Sequence, residues 1–182
     1  MVSKDEVLKV ISQKGQSPNI IKHLLAVGGA MRALAEHFNE DMDQWEIAGI
    51  LHDADYNLAP LDRHGYEAVE WFKGQLAPDI ERAVISHNFA NNGVEPQGKM
   101  GWALYSVDNL AGLIIASALV RPDKKLEGLT AESVLKRFGE TSFAKGANRE
   151  EIKACSKIGL DLKEFVDISL RGINSLAGDL GL

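Results

Sequence analysis

The sequence predicts an all-α protein folded as one domain over residues 1–182, with a core at about 17–122 and C-terminal helices at 123–182. Three observations carry that expectation. Apolar residues recur at helical spacing along the chain. Ser, Asp, Pro and Gly stand where helix starts and stops need them. No stretch alternates apolar and polar with period two, and nothing repeats or is of low complexity.

Taken in order, Val7, Leu8, Val10 and Ile11 predict a helix from Ser3 to Lys14, ended by Gly15. Ser17-Pro18 reads as an N-cap followed by proline at the first helical position. The helix it starts runs to about Phe38. Its centre carries Gly28-Gly29, which costs helix stability and implies a bend or the close approach of another helix. Asp41 or Asp43 caps the next helix, which ends near His52-Asp53. Leu58 to Asp62 is a turn, and His64 opens a helix through about Phe72. Pro78-Asp79 starts another, ending near His87. The Asn- and Gly-rich stretch Asn88–Gly98 is expected as a loop, a candidate flap over a site. Met100 to Val120 is the most apolar helix and the expected centre of the bundle. Beyond Arg121-Pro122, short helices are expected near Ala131–Phe138 and Arg149–Lys157, then an amphipathic one over Leu162–Leu176.

Composition narrows the function classes. A net charge of −6 argues against a general nucleic-acid binder, which needs a basic footprint, but leaves room for a nucleotide-sized ligand in a local basic pocket. The single Cys155 excludes an internal disulfide framework and a cysteine-rich zinc site, and fits a reducing compartment. No signal-peptide pattern follows Met1, and the apolar run Leu110–Val120 is too short to span a bilayer. A cytoplasmic protein without membrane or polymeric nucleic-acid partners is expected.

The chemistry concentrates at Gly49-Ile50-Leu51-His52-Asp53-Ala54-Asp55-Tyr56. An imidazole and a carboxylate closing an apolar helix need a partner, because unpaired buried polar groups are costly. A divalent cation satisfies both, taking His nitrogen and Asp oxygen together. A lone His-Asp pair is more often a solvated helix corner, and a lone histidine on an apolar face a satisfied core residue. Here, however, His23, His52, Asp53, His64, His87 and Asp108 fall on different expected helices or helix ends. Helical bundles build metal sites by projecting ligands inward from several helices in this way. Asp53 is the expected bridge between two ions. His37, between Glu36 and Phe38, reads as surface.

This order of residues resembles the HD-domain superfamily of metal-dependent phosphohydrolases, an HD-domain-like multi-helix bundle. The first His, the His-Asp doublet and the late Asp match its defining ligands; the two intermediate histidines resemble its dinuclear branch. Arg63-His64-Gly65-Tyr66-Glu67-Ala68, Ser86-His87-Asn88 and Ser106-Val107-Asp108-Asn109-Leu110 follow the order seen in HD-type symmetrical diadenosine tetraphosphate hydrolases. The resemblance covers about Ser17 to Pro122. It implies one metal held by His23, His52, Asp53 and Asp108, and a second by Asp53, His64 and His87. The ions would be one or two of Fe, Mn, Co, Ni, Zn or Mg. Relatives carry a Gly and then a Lys after the doublet; Ala54-Asp55-Tyr56 stand here instead, which weakens any transfer of cyclic-dinucleotide or polyphosphate specificity.

The expected activity is hydrolysis of a phosphate ester or anhydride in a small nucleotide-like metabolite. Asp53 and Asp55 are the candidate catalytic acids, although Asp55 reads equally well as a solvated helix-end residue. Arg121 and Lys145 are the candidate phosphate-binding cations. Two rivals accompany this reading: an HD-type di-iron oxygenase, and a non-catalytic signalling module in which metal only staples the helices. A homodimer through the C-terminal helices is a further expectation.

Overall fold

A computed structural model describes residues 2–182 as eleven α-helices and one 3-10 turn. No strand occurs among the described residues. The helices are α1 (Lys4–Gln13), α2 (Pro18–Phe38), α3 (Met42–Leu51), α4 (Tyr66–Glu70), α5 (Pro78–Ser86), α6 (Phe89–Asn92), α7 (Gly98–Leu119), α8 (Ala131–Gly139), α9 (Arg149–Lys153), α10 (Leu162–Asn174) and α11 (Ala177–Leu180). The 3-10 turn Ala154–Ile158 joins α9 to α10.

Local chemistry sets most boundaries. Ser3 and Glu6 form a reciprocal capping box on α1, and Gly15 follows at φ +84°. Ser17 caps α2 from its side chain, with Pro18 in the first turn. Of the two acids before α3, Asp41 is the cap, accepting from the backbone of Asp43 and Gln44.

Four long or apolar helices make the core. α2 lies against α3, α7 and α10, and α7 also meets α5, α8 and α9. The glycine pair in α2 permits this. A Cβ on Gly49 would stand 2.7 Å from the Cα of Gly28, and one on Gly29 would stand 2.7 Å from the carbonyl oxygen of Gly172. Backbone therefore meets backbone on both sides of α2, against α3 through Gly28 and against α10 through Gly29. The first crossing carries His23 and His52 to one end of the bundle, with ring centroids 5.2 Å apart. Glu46 of α3 is buried, and Arg32 of α2 and Lys4 of α1 neutralise it.

By length and composition, α7 is long and apolar enough to cross a membrane, more so than the run Leu110–Val120 taken alone. Its apolar side, from Ala103 and Leu104 to Ile114 and Ala118, is buried inside the bundle.

Two expectations need correction. Asn88–Gly98 is not a free flap. It contains α6, and asparagines tie it down: Asn88 donates to Leu61 O at 2.7 Å and Asn92 to Ile85 O at 2.7 Å. The helix expected from His64 to Phe72 shortens to α4, because Gly65 turns through φ +88° immediately after His64. No other residue fits there, since a Cβ would meet the Val84 carbonyl oxygen at 2.8 Å.

Candidate metal centre

The structure brings all six candidate ligands to one place. His23 comes from α2, His52 and Asp53 from the end of α3, His64 from the turn before α4, His87 from the end of α5 and Asp108 from the middle of α7. Two donor groups result: His23, His52, Asp53 and Asp108, and Asp53, His64 and His87, the ligand atoms of each lying within 4.8 Å of one another.

Asp53 stands between the groups. Its Oδ2 faces His52 Nε2 at 3.7 Å and His23 Nε2 at 4.0 Å, while Oδ1 faces His64 Nε2 at 2.8 Å and His87 Nε2 at 3.3 Å. Asp108 Oδ1 completes the first group, 3.0 Å from His23 Nε2 and 3.4 Å from His52 Nε2. Atoms about 2.1 Å from a common ion stand roughly 3–4 Å apart, and these separations match.

Hydrogen bonds on the outer side of three rings decide which nitrogens face inward. His52 Nδ1–H donates to Gly49 O at 2.7 Å, and His87 Nδ1–H donates to Val84 O at 2.5 Å. Both histidines follow a helix's last residue and use a carbonyl three positions back, one of those a helix end leaves without a partner. A carbonyl only accepts, so each ring carries its proton on Nδ1 and presents the Nε2 lone pair to the centre. His64 Nδ1 donates to Asp55 Oδ1 at 2.6 Å. Metal-ligating histidines are commonly held in this way.

Not every inward nitrogen is satisfied by the carboxylates. His52 Nε2 is buried without a hydrogen-bond partner among the described residues. His87 Nε2 lies 3.1 Å from His64 Nε2. An unpaired buried nitrogen is costly, and converging lone pairs repel unless a proton or a cation stands between them. The residues present therefore fit a divalent cation, and the nitrogen-oxygen donor set contains no thiolate.

Titration follows the same geometry. Burial opposes the charged form of His64, but Asp53 and Asp55 outweigh it and raise its pKa to about 9. Burial likewise opposes the charged form of His23, and the hydrogen bond to Asp108 raises its pKa nonetheless. Burial resists ionisation of both carboxylates. Even so, His52, His64 and His87 hold Asp53 well below its ordinary value, and His23 and His52 do the same for Asp108.

The matching family model is that of the HD domain, over residues 20–133, more than half of the chain. The chain belongs to the HD domain family. No curated protein and no solved structure matches it significantly. Divalent-metal binding is typical of HD domains, and the two donor groups here supply the means.

Two site expectations change. Asp55 cannot act as an acid or base on substrate: it is fully buried, and its carboxylate accepts from His64 Nδ1 and from the backbone N–H groups of Gly65 and Ala68. It is a positioning residue for His64. Arg121 is committed elsewhere, to Asp123 and to the carbonyls of Glu127 and Gly128. Lys145 is exposed on the loop before α9 and makes no hydrogen bond or ion pair with any of the six ligands. His37 is exposed, as expected.

Sequence reasoning missed two features of this HD domain's surroundings. Tyr56, 41% exposed, meets the His64 ring edge-on at 5.8 Å, and exposed Leu58 and Leu61 lie on the same turn. Glu151 is joined to Asn109, the residue after Asp108, by a 2.7 Å hydrogen bond from the amide. The aromatic after the doublet was a readable signal for the first. For the second there was none, since an acid in the first turn of a short helix ordinarily complements the helix dipole.

Proposed function

We propose that this HD domain is a metal-dependent phosphohydrolase that cleaves a phosphate ester or anhydride of a small nucleotide-like metabolite. The observation that carries this reading is the split role of Asp53, whose two oxygens face two separate groups of inward-pointing donors. A pair of ions sharing one carboxylate is an arrangement suited to in-line displacement at phosphorus.

His23, His52, Asp53 and Asp108 would hold one divalent ion, and Asp53, His64 and His87 the other. Such ions, when bound, acidify water and neutralise charge on the phosphoryl oxygens. The chain's own part is to keep the site rigid and partly dry. Gly49 O, Val84 O and Asp55 each fix one imidazole through its outer nitrogen, so little reorganisation is needed when substrate arrives. His52 is fully buried at the floor, whereas the side chains of Asp108 and His23 are 27% and 21% exposed. Substrate thus approaches over Asp108 and His23, and water is excluded behind His52. Tyr56, Leu58 and Leu61 offer an apolar border on the His64 side.

The test is to strip the protein with chelator, reload it with Mn, Fe, Co, Ni, Zn or Mg, and measure phosphate release from a panel of phosphomonoesters and anhydrides. Metal-dependent release that disappears in both H52A and H64A is expected. Two bound ions with no release from any substrate would overturn the reading, and oxygen consumption by the iron-loaded protein would put the oxygenase reading in its place.

A further inference from the structure

Beside Asp108 stands a wall that joins residues outside the matched segment 20–133 to residues of α7 inside it. Glu151 of α9 is its middle. One carboxylate oxygen accepts from the Asn109 amide at 2.7 Å and the other from the Asn148 amide at 2.7 Å. Asn109 also accepts from the Asn148 backbone N–H at 2.8 Å, so three side chains lock together. A carboxylate has about four acceptor positions. Two are used here, and Glu151 is only half-buried. Asn109 follows Asp108 directly on α7, so the carboxylate it holds stands next to the residue that completes the first donor group.

Aromatic side chains share the half-exposed stripe of α7 with Asn109. Tyr105 stands one turn before Asn109 on this stripe, and burial and then the charge of Glu151 raise its pKa. Its ring meets Trp102 at 5.8 Å and Phe89 at 6.5 Å, both edge-on. The nearest arginine in sequence, Arg149, is turned away: its guanidinium donates to the carbonyls of Arg137, Phe138, Glu140, Phe143, Ala144 and Ala147. Lys157 sits over the Trp102 ring.

Resting on the phosphohydrolase reading of the same centre, we infer that Glu151 reads a nitrogen-borne donor, an N–H or ammonium group, carried by the same molecule as the phosphate. The substrate class is an amino-bearing monophosphate rather than a polyphosphate. A third carboxylate beside Asp53 and Asp108 disfavours further phosphate groups at this wall by like-charge repulsion. The same carboxylate, held in place by two amides, forms a charge-assisted hydrogen bond with an N–H donor, and the Tyr105 ring adds a surface that favours positive charge. An alkylamine and an amino-bearing nucleobase share this chemistry.

Binding of matched phosphonates, which resist hydrolysis, to the manganese-loaded full chain tests the assignment by calorimetry. One pair is aminopropylphosphonate against butylphosphonate; the other is the methylenephosphonate analogues of cytidine monophosphate and of its N4,N4-dimethyl derivative, whose base carries no N–H. The N–H-bearing member of at least one pair is expected to bind about tenfold more tightly, as one charge-assisted hydrogen bond implies. The pair that discriminates identifies the source of the nitrogen. E151Q should bring that ratio to within about twofold, which a purely structural role for Glu151 would not do. Equal affinities within both pairs, or a ratio unchanged in E151Q, would overturn the inference. Release of nitrophenol from p-nitrophenyl phosphate is followed in parallel. A binding preference without any metal-dependent release would leave the assignment of Glu151 standing and remove the hydrolase reading.

Discussion

Asp55 Oδ1 lies 2.6 Å from His64 Nδ1, on a carboxylate with no exposure to solvent. The other oxygen accepts from Gly65 N at 2.9 Å and Ala68 N at 3.1 Å. One buried acid thus orients a candidate ligand and holds the turn that delivers it. Asp55→Asn keeps the shape but places an amide donor against donors. We expect a loss of about 1–3 kcal/mol in stability and a 10–100-fold loss of metal affinity of the order seen when such outer partners are removed. Chemical denaturation of the metal-free protein and a metal titration measure the two separately.

The pKa of His64 carries a pH signature. It is raised from 6.5 to about 9, so the folded metal-free protein holds this proton more tightly than the unfolded chain. That stabilisation is fully present below pH 6.5 and is lost as pH rises through about 9. Over the same window metal and proton compete for the Nε2 of His64, so metal affinity should rise with pH and binding should release protons. Melting temperatures of the metal-free protein between pH 6 and 10, with calorimetry in buffers of different ionisation enthalpy, check both signs.

Gly172 of α10 and Gly29 of α2 touch through their backbones. No flexible side chain can yield there, so Gly172→Ala must separate the two helices. A loss of about 1–3 kcal/mol or more is expected, read as a lower denaturation midpoint. Stability unchanged within error would show that α10 is not held against α2 as described.

Arg149 fixes the loop between α8 and α9 through six carbonyl groups. Arg149→Lys keeps the charge but not the planar fork of donors. We expect a cost of about 1–3 kcal/mol and much faster proteolysis within residues 140–148. Because Asn148 ends this loop and donates to Asn109, the contact between Glu151 and Asn109 should loosen too. Limited proteolysis of wild type and variant compares the loops directly.

Much of the fold was legible in the chain. Ser17-Pro18, Asp41, Pro78 and the glycines are local signals, because helix ends must satisfy backbone groups within a turn or two. The glycine pair at 28–29 announced a close helix contact for the same kind of reason: only a residue without Cβ allows it. The candidate ligands were legible as a set, because imidazoles and carboxylates on apolar helices need partners wherever the helices go. The resemblance to the HD domain rested on those residues, and residues 20–133 match that family.

Tertiary packing decided the rest. Asp55 reads locally as a helix-end acid; it becomes the partner of His64 only because Gly65 folds the following turn back over it. Arg121 and Lys145 carried the right charge for phosphate, but charge alone says nothing of direction, and the guanidinium turned to its own loop. Glu151, forty-two positions from Asn109, gave no sign at all. Sequence periodicity reports which side of a helix is buried, because that depends on neighbours one turn away. Which side chains then meet across helices depends on crossing points, and these exist only once Gly28 rests on Gly49 and Gly29 on Gly172.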